Sequence, residues 1–461
     1  MFKLRTSLMA LLGAGILLGC AVATPPSQHE LMPLALGKTS VPAQWRYSQT
    51  PGQFDAEALG FTPDAALKAL IAEAQLYNAD LRIAGARIDQ SRAALKAAGG
   101  PMLPSLGIGA QTGDSAIPTS SMSTTGIGVI AAWEVDLWGR LHSEEAAADA
   151  RFKASELDLQ YSQQAIAAAV TRAWIATTEA TQQLAFAKQM QQMAEKQVQL
   201  IQTGQKVGRN TAQDVALSEA GAALYRNQVA ANEQALNQLQ RSLEVLLGRY
   251  PAAEVTAAAT LPVASMALPA GIPSELMTRR PDVLAAEQRF RAAFQDVEVA
   301  KRARLPSLKL SGGVAYIEDS VVVLDPSLKN PLWALTGQLL APIFTGGLLE
   351  AQVEAKNARQ QEAIAQYSKT AITAFNEVEG ALAAERSLQK RQLALESQTA
   401  QLKKSLVYAQ VQQKVGKGDL YQVLQQQLNL ASAQANLLHL QSERLSNRVN
   451  LHQALGGHFP E

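Results

Sequence analysis

The sequence predicts a mostly α-helical fold with membrane β-strands, written twice along the chain. Three observations carry that prediction. The tetrapeptide QKVG occurs at 205–208 and again at 413–416, an offset of 208, each time between long runs rich in Ala, Gln and Leu. The second of those runs carries a narrow apolar seam at helical spacing. Each half also holds two short stretches in which apolar side chains alternate, the period of a membrane-spanning strand.

Composition removes whole classes of function. The 41 Lys and Arg are balanced by 40 Asp and Glu, and the two signs are interspersed. No basic stripe is left to neutralise a phosphate backbone, so nucleic acid is excluded as a partner. Aromatic residues are only 5% while Ala and Gln abound, which favours long helices packed through small side chains over a large globular core.

Residues 1–19 read as an export signal: Lys3 and Arg5, then the apolar run LMALLGAGILLG. The run ends at Cys20, the sole cysteine, within LLGC, which is similar to a lipobox. Lipid on Cys20 holds a mature chain at a membrane surface, at about 0.8 kcal/mol per buried methylene. Ala21 rather than Asp follows, which in bacterial lipoproteins favours the outer membrane. Residues 20–54, with five prolines after Cys20, form an extended strap.

The first repeat covers 55–250 and the second 274–461, joined by a linker at 251–273. At an offset of 202, LPSLGIG (103–109) meets LPSLKLSGG (305–313), and Asp80 meets Asp282. Each repeat opens with a helical run (63–98 and 274–303) that stops near Pro104 or Pro306. Strand stretches follow at 105–113, 124–138, 307–318 and 331–344, separated within each pair by DSAIPTSSMS and DSVVVLDPSLKN, polar enough to serve as external loops. Trp133, Trp138, Tyr316 and Trp333 are candidates for an interfacial aromatic belt.

A very long helix then begins (141–205 and 347–413), with a seam at Ile364, Tyr367, Ala371, Phe375, Val378 and Leu382. About 65 residues at 1.5 Å each span roughly 100 Å, and the two shorter helices of a repeat, stacked end to end, match that length as a tube wall. Gly208 and Gly416 fall at hairpin tips, before returning helices at 212–247 and 420–455.

After the signal, no stretch reaches the ~20 consecutive apolar residues of a spanning helix, so a membrane crossing requires strands. Four strands cannot close on themselves, and lipid does not tolerate an open edge. Two chains give a filled eight-stranded barrel and three give twelve strands with a lumen, so a pore favours a homotrimer.

Together these residues resemble the TolC-like outer-membrane factors, in particular the NodT-type lipoproteins of resistance-nodulation-division efflux pumps. The resemblance rests on LMTRRPDVLAAEQRFRAAFQDVEVAKRARLPSLKLSGG (276–313), with Arg279, Arg280, Pro281, Asp282, Glu287 and Pro306 at its signature positions, on WEVDLWGR (133–140) and on PIFTGG (342–347). It implies a trimer with a twelve-stranded β-barrel in the outer membrane, continued by a twelve-helix α-barrel into the periplasm. The implied role is a passive exit duct for drugs or other small toxic compounds, lipid-anchored through Cys20 and served by a periplasmic adaptor and an inner-membrane pump. By the same resemblance, Val207, Gly208 and Arg209 with Val415, Gly416 and Lys417 are the adaptor-docking tips. Family members constrict the tunnel with carboxylate rings past the second tip. Here the nearest positions are Gln422 and Gln425, with Asp419 closer to the turn and Asp214 in the first repeat. Glutamines seal by hydrogen bonds without charge, so closure here is expected to be less sensitive to pH.

No catalytic constellation accompanies this plan. The chain lacks a P-loop, HExxH and a CxxC pair, its five histidines are scattered, and SLQK (387–390) is a lone SxxK inside a helix. No enzyme activity, cofactor or metal site is therefore expected. A non-conducting coiled-coil tether is the rival reading, but it has no use for strand pairs inside each helical run. Within the duct reading, drug efflux, metal efflux and type I secretion share one fold, and the lipobox with RRPD leans toward efflux.

Overall fold

The computed structural model describes residues 23–36, 41–47, 61–117, 120–264, 271, 273–319, 331–418 and 420–457. Cys20, Asp419 and the 320–330 stretch lie outside the described residues. In chain order the elements are α1 (Gln28–Leu36), α2 (Ala65–Tyr77), α3 (Ala79–Gly99), a 3-10 turn (Gly100–Met102), β1 (Ser105–Ile117), β2 (Ser120–Val135), α4 (Arg140–Lys206), α5 (Ala212–Leu246), α6 (Pro273–Arg279), α7 (Pro281–Arg302), β3 (Ser307–Asp319), β4 (Leu332–Leu340), α8 (Leu348–Lys414) and α9 (Leu420–Ala454). Helix pair, strand pair, a 67-residue helix and a 35-residue helix follow one another twice. Among the described residues no helix is long and apolar enough to cross a membrane.

The chain forms two compact units. A sheet unit takes residues up to 39, 86–157 and 284–370, and a hairpin unit takes 40–85, 158–283 and 371–461. In the sheet unit the strands form one antiparallel sheet in the order β1-β2-β3-β4. Leu31, Leu141, Phe290 and Tyr367 are buried in this unit. In the hairpin unit Leu67, Ile71, Trp174, Ile175, Leu243, Leu247 and Val449 form the core, each buried aliphatic contributing about 1.5–3 kcal/mol.

Each opening helical run proves to be two helices. The first breaks at Asn78, whose side chain leaves the helix and accepts the backbone N–H of Asp80 (2.9 Å) and Leu81 (3.3 Å), capping α3. The second breaks at Arg280, because the residue before Pro281 is driven out of the helical region. Asn78 and Arg280 stand at the same position of the two repeats, 202 residues apart. The polar DSAIPTSSMS stretch is also mostly strand rather than loop: Asp114 pairs with Ser123 and Ile117 with Ser120. Ladder hydrogen bonds satisfy the backbone there whatever the polarity of the side chains. Trp138 falls beyond the end of β2, and β4 stops at Leu340, before Pro342.

Candidate functional site

The sheet sorts its side chains by chemistry. Residues paired across an antiparallel ladder share a face, and faces alternate along each strand. Ile108, Val129, Val314 and Trp333 lie in one row, and Leu106, Ala131, Gly312 and Leu335 in the next. Tyr316 opposite Ile127 and Trp133 opposite Leu310 belong to the same face. The opposite face carries Ser105, Gly107, Gln111, Glu134, Lys309, Ser311, Thr336 and Gln338, with Ile130, Leu332 and Leu340 among its larger apolar members. The alternation of apolar with small or polar residues along each strand is the trace of these two faces in the sequence. Ile108, Trp333 and Leu335 are each more than three-quarters exposed in the single chain, so this apolar face awaits an apolar surrounding.

The strand-to-helix junction is pinned by specific bonds. Trp138 Nε1 donates to the Pro306 carbonyl at 2.7 Å, and Trp133 Nε1 donates to the Met102 carbonyl at 2.9 Å. Arg302 Nη1 reaches the Gly139 carbonyl at 2.6 Å and Ser143 Oγ, while Arg140 pairs with Glu134 at 2.7 Å. The two tryptophans thus act as clamps between chain segments, a role their spacing alone did not disclose.

Both QKVG tips close in the same way. Gly208 N donates to the Gln205 carbonyl at 3.0 Å and Arg209 N to the Gly204 carbonyl at 2.8 Å. Gly416 N donates to the Gln413 carbonyl at 3.1 Å and Lys417 N to the Gln412 carbonyl at 2.9 Å. These are Schellman turns, in which the glycine takes positive φ, here 74° and 72°. Val207 and Val415 stand about two-thirds exposed immediately before the glycines. An apolar side chain beside a cation, Arg209 or Lys417, is therefore presented twice per chain.

Past the first tip, Thr211 and Asp214 form a reciprocal capping box at the start of α5. Hydrogen bonds from the Thr211 backbone, then from its hydroxyl, hold the Asp214 carboxyl below its ordinary value. The offset of 208 places Asp419 and Gln422 at the same two positions of the second repeat. Gln422 is exposed, and Gln425 is exposed and donates to Asn429 Oδ1 at 3.2 Å.

The RRPD signature is an ion-pair knot. Arg280 is buried and binds Asp282 through Nε (3.0 Å) and Nη2 (2.7 Å), Glu377 through Nη1, and the Ala454 carbonyl. Burial opposes its charge, but Asp282 and Glu377 more than offset this and hold the guanidinium above its ordinary value. Arg279 pairs with Glu275, and the buried Glu287 with Arg291, each at 2.7 Å. Among the described residues no cluster of His, Cys, Asp and Glu is suited to a metal ion.

Comparison with known proteins agrees with this architecture. The outer membrane efflux protein family model matches residues 70–249 and 272–457. The pyoverdine export outer membrane protein OpmQ of Pseudomonas aeruginosa is 30% identical, over 97% of this chain and 96% of that protein. The toluene efflux pump outer membrane protein TtgC of Pseudomonas putida is 29% identical, over 99% and 96%. The open state of the Neisseria gonorrhoeae MtrE outer membrane channel superposes with a TM-score of 0.82 at 25% identity, over 95% of this chain and 98% of that one. With a sheet sorted into apolar and polar faces, two long helical hairpins and a family match across both repeats, the chain belongs to the outer membrane efflux protein family and is an outer-membrane channel of an efflux system.

Proposed function

We propose that three copies of this chain close a twelve-stranded barrel and serve as the passive exit duct of a tripartite, resistance-nodulation-division type efflux system. The observation that carries this reading is the four-stranded sheet with an apolar face, a polar face and two outer strands, β1 and β4, each paired on one side only among the described residues. An open edge is untenable in lipid, and three sheets joined edge to edge give twelve strands wide enough for an aqueous lumen. Lys309, Thr336 and Gln338 then face water and Trp333 and Leu335 face lipid.

The working boundaries are a signal at 1–19, a lipidated strap at 20–54 anchored through Cys20, repeats at 55–250 and 274–461, and a linker at 251–273. The two Schellman tips, Val207-Gly208-Arg209 and Val415-Gly416-Lys417, dock a periplasmic adaptor that links the duct to an inner-membrane pump, with six tips presented by a trimer. Two copies of one turn, identical in hydrogen bonding, suit a partner that meets a pseudo-repeated rim. Asp214, Asp419, Gln422 and Gln425 line the adjacent periplasmic constriction in this reading. Drugs and other small toxic compounds are the cargo. The family is one of outer membrane efflux proteins, and in this reading the duct performs no chemistry of its own. Native mass spectrometry of the purified protein, followed by planar-bilayer conductance, tests the proposal. A trimer that passes ions sustains it, and a monomer or a non-conducting trimer removes it.

A further inference from the structure

The hairpin unit contains a polar cavity of about 450 Å³ between α4, α8 and α9, lined among others by Tyr161, Arg172, Arg280, Glu377, Asn450 and Gln453. That volume is in the range of small-molecule sites. Its two arginines differ in one respect. Arg280 is fully engaged, shared by Asp282 and by Glu377, the one carboxylate among the described lining residues. Arg172 has no carboxylate partner among the described residues. Its Nη1 donates to two neutral oxygens, Asn450 Oδ1 at 2.9 Å and Gln453 Oε1 at 3.2 Å.

Two well-buried arginines of α9 show what such a group ordinarily acquires. Arg444 and Arg448 both reach Glu385, at 2.9 and 3.0 Å. A half-buried guanidinium held only by amides has no direct counter-charge, and burial pulls Arg172 below its ordinary value. The Tyr161 hydroxyl is pushed up by burial and then by the Asp282 carboxylate, so at neutral pH it remains a hydrogen-bond donor.

We infer that this cavity is a binding site for a small organic monocarboxylate, whose carboxylate completes Arg172 while the amide side chains of Asn450, Gln453 and Asn447 and the Tyr161 hydroxyl contact its polar body. Arg172 is the guanidinium of the lining that no carboxylate touches among the described residues, so a single carboxylate suits it. A dianion such as inorganic phosphate would bring a second charge with no counterpart beside Glu377. A planar guanidinium fork matches a carboxylate in two parallel hydrogen bonds. The site lies within one chain, so it does not depend on the assembly proposed above.

The test uses the purified full-length protein in detergent with 4-fluorobenzoate as the probe, followed by fluorine NMR line broadening. Saturable broadening is expected for 4-fluorobenzoate and not for the uncharged 4-fluorobenzamide. Arg172→Gln, which keeps hydrogen bonding to the amides, should weaken binding by about ten-fold or more, the loss of a charge-assisted pair. Should that variant fail to fold, Gly380→Leu decides: Gly380 lines the cavity, and a Cβ added there meets no atom within 4 Å, so a side chain can start into the space without displacing the helix. Binding abolished by Gly380→Leu sustains the site. Equal binding of benzoate and benzamide, unchanged binding in both variants, or displacement by equimolar inorganic phosphate would overturn it.

Discussion

The Asp214 carboxylate accepts the Thr211 backbone N–H at 2.8 Å, while the Thr211 hydroxyl accepts the Asp214 backbone N–H at 3.1 Å. The residue nominated for a charged constriction thus has its carboxylate occupied in starting a helix. Its folded pKa is lowered, so its stabilisation is complete above the ordinary aspartate value of 3.8 and drains away as pH falls through the depressed one. Between pH 5 and 8 it does not titrate. Asp214 is therefore expected to contribute no carboxylate-like step to single-channel conductance in that range, and a steep step that Asp214→Asn abolishes would place a raised pKa on this carboxylate at the gate. Thr211→Ala should cost about 0.5–2 kcal/mol of local stability, read as lost hydrogen-exchange protection in the first turn of α5.

At the tips, Gly208 and Gly416 hold φ of 74° and 72°, and a methyl group added at either would meet no atom within 4 Å. Alanine there suffers backbone strain alone, roughly 1–2 kcal/mol per turn. Gly208→Ala and Gly416→Ala should each loosen one Schellman turn and raise open probability in a planar bilayer, the double variant more than either single one. Unchanged gating in the double variant would separate the tips from the constriction.

Much of this fold can be read from the chain because its elements are long and locally determined. Helix ends fall next to Gly208 and Gly416 and a few residues before the prolines at 104 and 306, where backbone chemistry admits few alternatives. The Thr211-x-x-Asp214 capping box is also a local signal carried by the sequence. The breaks at Asn78 and Arg280 were hidden because helical periodicity runs on through them. The strand ends at 114–117 and 120–123 were hidden because ladder pairing, not polarity, decides them. The Arg172 cavity has no local signature at all: its arginine and the amides that hold it lie 278 and 281 residues apart in sequence.

Arg280 carries the recognisable RRPD signature, and its bonds give that motif a structural reason. Removing it leaves Asp282 and Glu377 facing each other without a cation, beside the Ala454 carbonyl. Arg280→Met should destabilise the hairpin unit by about 3–5 kcal/mol, the usual result of breaking a buried pair from one side. Arg280→Lys keeps the charge but not the fork and should fall between the two. Thermal unfolding of the purified protein, followed by the near-ultraviolet signal of the core residue Trp174, measures both.

The two faces of the sheet make the sharpest prediction. Val129 lies in the row of Ile108, Val314 and Trp333, whereas Thr336 lies opposite Ser311 on the other face. In a barrel with lipid outside and water inside, arginine at the first position enters hydrocarbon at a cost of about 2–4 kcal/mol near the midplane, and at the second it enters water. Val129→Arg should therefore reduce the folded protein recovered from outer membranes. Thr336→Arg should leave recovery unchanged and shift ion selectivity toward anions, since three added guanidiniums would ring the lumen. Reversal potentials in a salt gradient read the second effect. Equal recovery of both variants would mean that the apolar face does not meet lipid, and the twelve-stranded barrel would fall with it.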